Sequence, residues 1–260
     1  MHTSASENNL TPQKPKKSLG GALLVLLLIL GINFYSGIRG HEYSYVGMLY
    51  AEGKYFFPKD YHKAIEWFKK AVDDGDVYGY YFLGLCYDLG NGVKPNKEEA
   101  LKWYKLAAEK GDGSAQCNLA WAYQHGEGVE QNLAEAFKWY KKSAENGDLN
   151  GIVNLGSMYY SGEHVEQNYE EAVRLYQRAA DKGSDTGQHN LGLCYEKGKG
   201  VPQDDSKAFK LFFKAANQGN AKAQYRLSLC YESGRGVERD ASKAAYWYNQ
   251  AKINGGLPAQ

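Results

Sequence analysis

An excess of either charge is missing from this sequence. Its 31 lysines and arginines against 30 aspartates and glutamates leave a formal net charge of +1. The N-terminal segment holds Lys14, Lys16 and Lys17 against Glu7 alone, so the remainder is close to neutral. With no basic stripe, nucleic-acid binding has no electrostatic footing. Catalytic signatures are missing too. Neither Ser-x-x-Lys nor Gly-x-Ser-x-Gly occurs, which removes two serine-enzyme readings. The six histidines show no His-Glu-x-x-His spacing and no pairing with cysteine, so no metal site is expected. The expectation is a protein without catalysis, cofactor or small-molecule substrate.

What the sequence does have is glycine on a fixed beat. Gly75, Gly111, Gly147, Gly183, Gly219 and Gly255 recur every 36 residues, and Ala64, Ala100, Ala136, Ala172, Ala208 and Ala244 keep the same period. Self-similarity of this length marks a solenoid, in which each unit buries its apolar face only by stacking on its neighbours. The units run over about 40–75, 76–111, 112–147, 148–183, 184–219 and 220–255, with a tail at 256–260. Solenoids offer long surfaces to partners and seldom build catalytic pockets.

Each unit reads as two antiparallel helices, giving an all-α fold. Asp112 follows a closing glycine, and its equivalents Asp76, Asp148, Ser184 and Asn220 can each accept an orphan N–H at a helix start. Leu119, Ala122 and Tyr123 then share one helical face, and Gly126 ends this helix A. A second cap series, Asp60, Asn96, Asn132, Asn168, Asp204 and Asp240, opens helix B. Glu99, Glu135 and Glu171 stand three residues after their caps, the spacing of a capping box. Helix B carries Ala136, Trp139, Tyr140 and Ala144, and small residues such as Ala100 and Ala136 let the two helices approach closely. The pairs Trp67-Phe68, Trp103-Tyr104, Trp139-Tyr140 and Trp247-Tyr248 read as core between repeats.

The Gly-x-Gly pairs, such as Gly126/Gly128, lack a preceding strand, a third glycine and a downstream acidic residue, so they are turns rather than a nucleotide site. Cys86, Cys194 and Cys230 share one repeat position, which elsewhere holds Ala122 and Met158, so the slot is apolar. Packed helices lie about 8–10 Å apart. A disulfide wants Cα atoms within about 7 Å, so all four cysteines read as buried free thiols.

The pattern Leu-Gly-x-x-Tyr-x-x-Gly-x-Gly-Val, Asn/Asp, Ala-x-x-Trp-Tyr-x-x-Ala-Ala-x-x-Gly resembles the Sel-1-like repeat, a relative of the tetratricopeptide repeat, in six copies. The first copy departs by one extra residue between Gly53 and Ala64, and the fourth carries His164 in place of the second glycine. A cysteine-rich branch of the family bridges helices within each repeat; paired cysteines are lacking here, so that branch is not implied. The resemblance implies a right-handed α–α superhelix that binds a protein or peptide on its concave helix-A face. On that face it places Tyr81, Leu85, Cys117, Trp121, Val153, Tyr160, His189, Leu193, Tyr225 and Leu229. Trp121 stands where other repeats have Leu or Ser, so the framework does not require it; the alternative is packing against a neighbouring helix. Asn118, Asn154 and Asn190 lie one repeat apart, and their amides could bind an extended peptide backbone or tie helix A to its neighbour. Two functions follow from the resemblance: an adaptor in the bacterial envelope, or an immunity protein that neutralises a toxic secreted enzyme.

The N-terminal segment decides where such a scaffold works. After a basic tail at 1–18, an apolar run from Leu19 to Gly37 is long enough for a transmembrane helix, with Phe34 and Tyr35 where an interfacial belt sits. Its strictly apolar core, Leu19 to Ile32, also suits a signal peptide. No small-x-small cleavage site follows, and the first cysteine is Cys86, so the reading is an uncleaved signal anchor. The three lysines put the N-terminus in the cytoplasm and the repeats across the inner membrane, in the periplasm. Beyond the anchor there is no Asn-x-Ser/Thr site, which fits a bacterium. Intact-mass analysis is expected to find the run retained; a mature N-terminus near residue 38 would mean a cleaved, secreted or periplasmic protein.

Overall fold

The computed structural model describes residues 41–257. The expected basic tail, the transmembrane segment and the last three residues lie outside the described residues. Twelve helices follow one another: α1 (Glu42–Glu52), α2 (Tyr61–Asp73), α3 (Val77–Leu89), α4 (Lys97–Glu109), α5 (Gly113–His125), α6 (Leu133–Glu145), α7 (Leu149–Ser161), α8 (Tyr169–Asp181), α9 (Asp185–Lys197), α10 (Asp205–Asn217), α11 (Ala221–Ser233) and α12 (Ala241–Ile253). Odd-numbered helices are the A helices and even-numbered the B helices. Each packs on the one before and the one after it, and successive A helices also touch (α1–α3, α5–α7, α7–α9). No B helix makes a comparable contact with the next B helix among the described residues. The array therefore bends with its A helices inside.

Both cap series form. Asp112 Oδ1 accepts from the Ala115 N–H at 2.6 Å, and Asn132 Oδ1 from the Glu135 N–H at 3.1 Å. The Asn132 N–H is itself used, donating to the Tyr123 carbonyl at 2.8 Å, and Asn96 and Asn168 repeat that bond to Tyr87 and Tyr159. This corrects the capping-box expectation. With the cap N–H satisfied by the preceding helix, the glutamates turn outward and pair with Lys102, Lys138 and Arg174. Such exposed pairs contribute little.

The A-to-B turn explains the glycine pairs. Gly126 ends α5 at φ 71°, the left-handed conformation that spares a Cβ clash. At Gly128 (φ 70°) an added Cβ would stand 2.7 Å from the Lys97 carbonyl carbon, so the turn rests directly on the preceding B helix. The two departing repeats hold this conformation without glycine, at Tyr55 (φ 58°) and His164 (φ 68°). Left-handed backbone costs such residues roughly 1–2 kcal/mol.

One ring per repeat forms the core. Phe68, Tyr104, Tyr140, Tyr176 and Phe212, all on B helices, are 0–3 % exposed. Each enters the hollow beside a small residue of its own A helix. A Cβ on Gly84 would stand 2.5 Å from Tyr104, and one on Gly192 2.6 Å from Phe212. The Tyr140 hydroxyl donates to Gln124 Oε1 at 2.9 Å, so its polar end is satisfied. The neighbouring tryptophan is less uniform: Trp139 is buried, whereas Trp67, Trp103 and Trp247 are only partly so. In the last repeat Tyr248 is 45 % exposed, and no further A helix covers it among the described residues. The expectation that Trp247-Tyr248 is core is corrected for Tyr248, while Trp247 is half-buried against the cluster around Phe212.

Buried glutamines tie the layers. Gln116 Nε2 donates to the Ala108 carbonyl of α4 at 2.9 Å, and its Oε1 accepts from Asn146, the residue that caps the end of α6, at 2.9 Å. Gln188 and Gln224 repeat both bonds one and two repeats after the uncharged Ile152 position. One amide thus joins three successive helices.

Tyr140→Ala is expected to lower stability by about 3–5 kcal/mol through the cavity it leaves. Tyr248→Ala, at the uncovered end, should cost about 1 kcal/mol or less. Urea unfolding of the two variants measures the difference; equal losses would contradict the ring-in-hollow account.

Candidate functional site

The inner side of the bend is made of A helices, whose core-facing columns are spent on packing. The remaining columns decide what a partner meets. Trp121 is 46 % exposed, stacked on His125 of its own helix with centroids 3.7 Å apart and 25° between planes. His125 Nδ1 lies 2.9 Å from the Trp121 carbonyl, which holds the pair in place. The ring is thus half-exposed to solvent, and its other side borders Asp88, Lys97, Ala100 and Leu101 of the preceding repeat.

The other expected site residues divide into two groups. Tyr81, Leu85, Tyr160, Leu193, Tyr225 and Leu229 are half-buried. Tyr160 meets Tyr169 edge-on at 5.1 Å, and Tyr81 leans on Tyr104 at 6.1 Å. Burial raises the Tyr81 hydroxyl above the ordinary tyrosine range, with Asp112 and Asp148 adding to it. His189, by contrast, is only 6 % exposed, and Cys117 and Val153 are buried as well. These three belong to the interior. The His189 ring lies 5.9 Å from Phe212, and burial holds its pKa below the usual value, so the imidazole is neutral. A column defined by its spacing alone does not separate Tyr225 from His189.

The asparagines are tied inward. Asn154 Nδ2 lies 3.6 Å from Cys117 Sγ, and Asn190 Oδ1 lies 3.1 Å from His189 Nδ1. Asn118 sits beside the Tyr104 hydroxyl and favours its ionised form, against a much larger upward push from burial. Asn154 thus meets a residue of the preceding A helix and Asn190 its neighbour on its own helix, and each of the three amides stays half-exposed.

The groove hollows out at three places. Asn118 and Trp121 border a small cavity of about 50 Å³ with Asp88, Lys97 and Glu127. Lys97 Nζ contacts Asp88 at 2.5 Å and Glu127 at 3.0 Å, and these bonds, Asp88 first, raise its pKa. Tyr160, Asn190 and Leu193 border a second, of about 320 Å³, and Tyr225 and Leu229 a third, of about 880 Å³. Two exposed apolar residues belong with this face and were not expected: Tyr78, 46 % exposed, and Leu89, 64 % exposed. Leu89 had the same signal as Trp121, since its column otherwise reads His125, Ser161, Lys197 and Ser233.

All four cysteines are free and buried, and burial pushes Cys86, Cys194 and Cys230 up to about 11 and Cys117 to about 12. Such thiols are poor nucleophiles at neutral pH. Among the described residues no group of three or more His, Cys, Asp or Glu is placed to hold a metal ion. No helix among them is long and apolar enough to cross a membrane.

The geometry defines a helical-repeat scaffold suited to protein–protein interaction. The Sel1 repeat family matches six times, at residues 43–76, 77–112, 113–148, 150–184, 186–220 and 221–255, and the chain belongs to that family. Among solved structures, a Sel1 repeat protein from Oxalobacter formigenes is 29 % identical with a TM-score of 0.76, over 88 % of this chain and 96 % of that one. A protective antigen of uropathogenic Escherichia coli with the same repeat fold is 37 % identical, TM-score 0.68, over 84 % of this chain. This chain spans 46 % of that protein's length. An immunity protein from Pseudomonas aeruginosa shares the fold at 19 % identity and TM-score 0.56, over 84 % and 83 % of the two chains. A curated relative, the ERAD-associated E3 ubiquitin-protein ligase component HRD3B of Arabidopsis thaliana, is 33 % identical over 25 % of this chain and 13 % of its own length.

The folded protein is expected to leave all four thiols unreactive toward a disulfide reagent at pH 8 and to release four on unfolding. Because their folded pKa values are raised, the thiols favour the fold fully below about pH 9, and that contribution is lost as pH rises through 11 to 12. Fast labelling of Cys194 in the native state would contradict its burial.

Proposed function

We propose that this chain is a non-catalytic adaptor whose right-handed superhelix takes a protein or peptide partner on its concave A-helix face. The observation that carries this reading is Trp121. It is a large aromatic, half-exposed on the inner side of the bend, at a position the repeat framework fills with Leu or Ser elsewhere. Exposed aromatics with apolar neighbours such as Leu89 are the anchors that dominate protein interfaces. The near-neutral charge and the lack of an assembled nucleophile or metal cluster among the described residues agree with a binding role. The scaffold is proposed to be held at the inner membrane by the Leu19–Gly37 run, with its repeats in the periplasm.

A second reading, an immunity protein that caps a cognate toxic enzyme, is favoured by the shared fold with immunity proteins of Pseudomonas aeruginosa. Both readings use the same face and differ in the partner's chemistry. Affinity purification of the tagged chain from its native cells identifies that partner. An effector enzyme whose activity falls on adding the chain supports the second reading; an envelope protein without such inhibition supports the first. In either case Trp121→Ala is expected to weaken the complex by about 2 kcal/mol, roughly 30-fold in Kd, with the melting temperature unchanged. Full binding by a folded Trp121→Asp variant would place the interface elsewhere.

A further inference from the structure

The exposed stripe of the B helices changes character in repeats five and six. Three of its columns carry charged or polar side chains elsewhere in the array. One reads Glu66, Lys102, Lys138, Arg174 and Lys210, and then Tyr246. A second reads Lys69, Lys105, Lys141, Gln177 and Asn249, but Phe213 in repeat five. The third reads Asp73, Glu109, Glu145, Asp181 and Asn217, and then Ile253. Tyr246, Phe213 and Ile253 are 55 %, 41 % and 75 % exposed. Packing requires none of them, because polar residues fill the same places in the other repeats. Nor does their exposure come from the position of α12, since these columns are exposed in every repeat that has a neighbour on both sides.

The three replacements gather into one patch. Phe213 and Tyr246 both meet Trp247, with ring centroids 6.4 and 5.1 Å away, and Phe209 lies 6.2 Å from Phe213. Ile253 stands two turns beyond Tyr246 on the same face of α12. The charge around them is mostly of one sign. Helices α10 and α12 carry Lys207, Lys210, Lys214, Lys243 and Lys252 against Asp205 alone, whereas each earlier B helix carries two or three acidic residues. The capping carboxylates Asp204 and Asp240 are taken by Lys207 and Lys243 at 3.4 and 3.0 Å, and Glu238 also lies near Lys243. Asp205 is on the opposite side of α10, under the turn at Gly236. Lys210, Lys214 and Lys252 form no ion pair among the described residues.

We propose that this patch rests against an anionic lipid surface, with Phe213, Tyr246, Trp247 and Ile253 entering the headgroup region and the three unpaired lysines meeting lipid phosphates. Tyrosine and tryptophan concentrate where hydrocarbon gives way to water, and lysines flanking an apolar face are drawn to anionic headgroups. Exposed apolar residues rimmed by one sign of charge mark a docking surface rather than a solvated one. The B helices form the outer side of the bend, where a bilayer finds a broad ridge and a peptide finds no inward curve to follow. The proposal concerns the side opposite the A face and rests neither on that reading nor on the Leu19–Gly37 anchor. An acidic protein surface is the competing occupant, and the experiment separates the two.

The test uses the full chain with Asn217→Cys, one turn beyond Phe213, carrying a polarity-sensitive dye; the four native thiols are buried and stay unlabelled. It is combined with vesicles of phosphatidylcholine, with or without phosphatidylglycerol. The dye's emission should shift to the blue with phosphatidylglycerol and not with phosphatidylcholine alone. A dye at Lys141→Cys, on the same stripe of repeat three, should stay in water with both. Phe213→Gln with Tyr246→Lys restores residues that these columns hold elsewhere, so the melting temperature should hold while the shift is lost. Because that variant gains positive charge, its loss cannot come from weaker attraction to phosphate. Lys210→Glu with Lys214→Glu should abolish the shift as well. No shift with either vesicle overturns the proposal, as does an equal shift with phosphatidylcholine alone or one that survives Phe213→Gln with Tyr246→Lys. A shift produced by a captured acidic protein without vesicles would make that protein the occupant and overturn it too. Flotation of the chain with the vesicles reports the Leu19–Gly37 anchor separately from the dye.

Discussion

Everything in this array depends on one packing event, repeated: an aromatic ring of helix B enters a hollow made by a small residue of helix A, and the next A helix covers it. Tyr140 loses all of its exposed surface this way, whereas Tyr248, which also follows a tryptophan but has no covering helix among the described residues, keeps 45 %. A single repeat would expose the ring that holds it together, which is why such units are stable only in stacks. The polar ties obey the same logic. Gln116 and Gln224 have their amides satisfied only because three successive helices converge on them.

That constraint also determines where function resides. Columns that face the next repeat admit few residue types: glycine, alanine or serine opposite the ring, leucine beside it. A partner-specific residue must therefore sit in a column that packing leaves free. Trp121, Leu89 and Tyr78 do so, and they fall on the inner side of the bend in the N-terminal half. The C-terminal half is different in kind, with Glu196 and its two arginines making the covered surface polar. Binding information in this chain is consequently uneven along an otherwise regular scaffold.

Much of this was legible in the residues, for a physical reason. Caps, left-handed glycines and the helix period are local features, and six copies in register average out their individual ambiguity. Asp112, Asn132 and Gly126 all do what their positions suggest. Features set by neighbours about one repeat away were not legible. Glu135 has the spacing of a capping box, but the Asn132 N–H was already taken by Tyr123, so the box does not close. His189 shares a column with Tyr225 yet is buried, with the Phe212 ring 5.9 Å away. The asparagine row reads as a ladder or as ties, and its contacts with Cys117 and His189 are set by neighbours that the spacing alone does not show.

The central claim is that the A face, not the B face, meets the partner. Hydrogen exchange of the full chain with and without its captured partner tests it directly, since bound surfaces open less often. The account predicts slowed exchange in α3, α5 and α7 and unchanged exchange in the outward turns of α4, α6 and α8. Protection confined to the B helices, with the peptides around Trp121 unaffected, would contradict it.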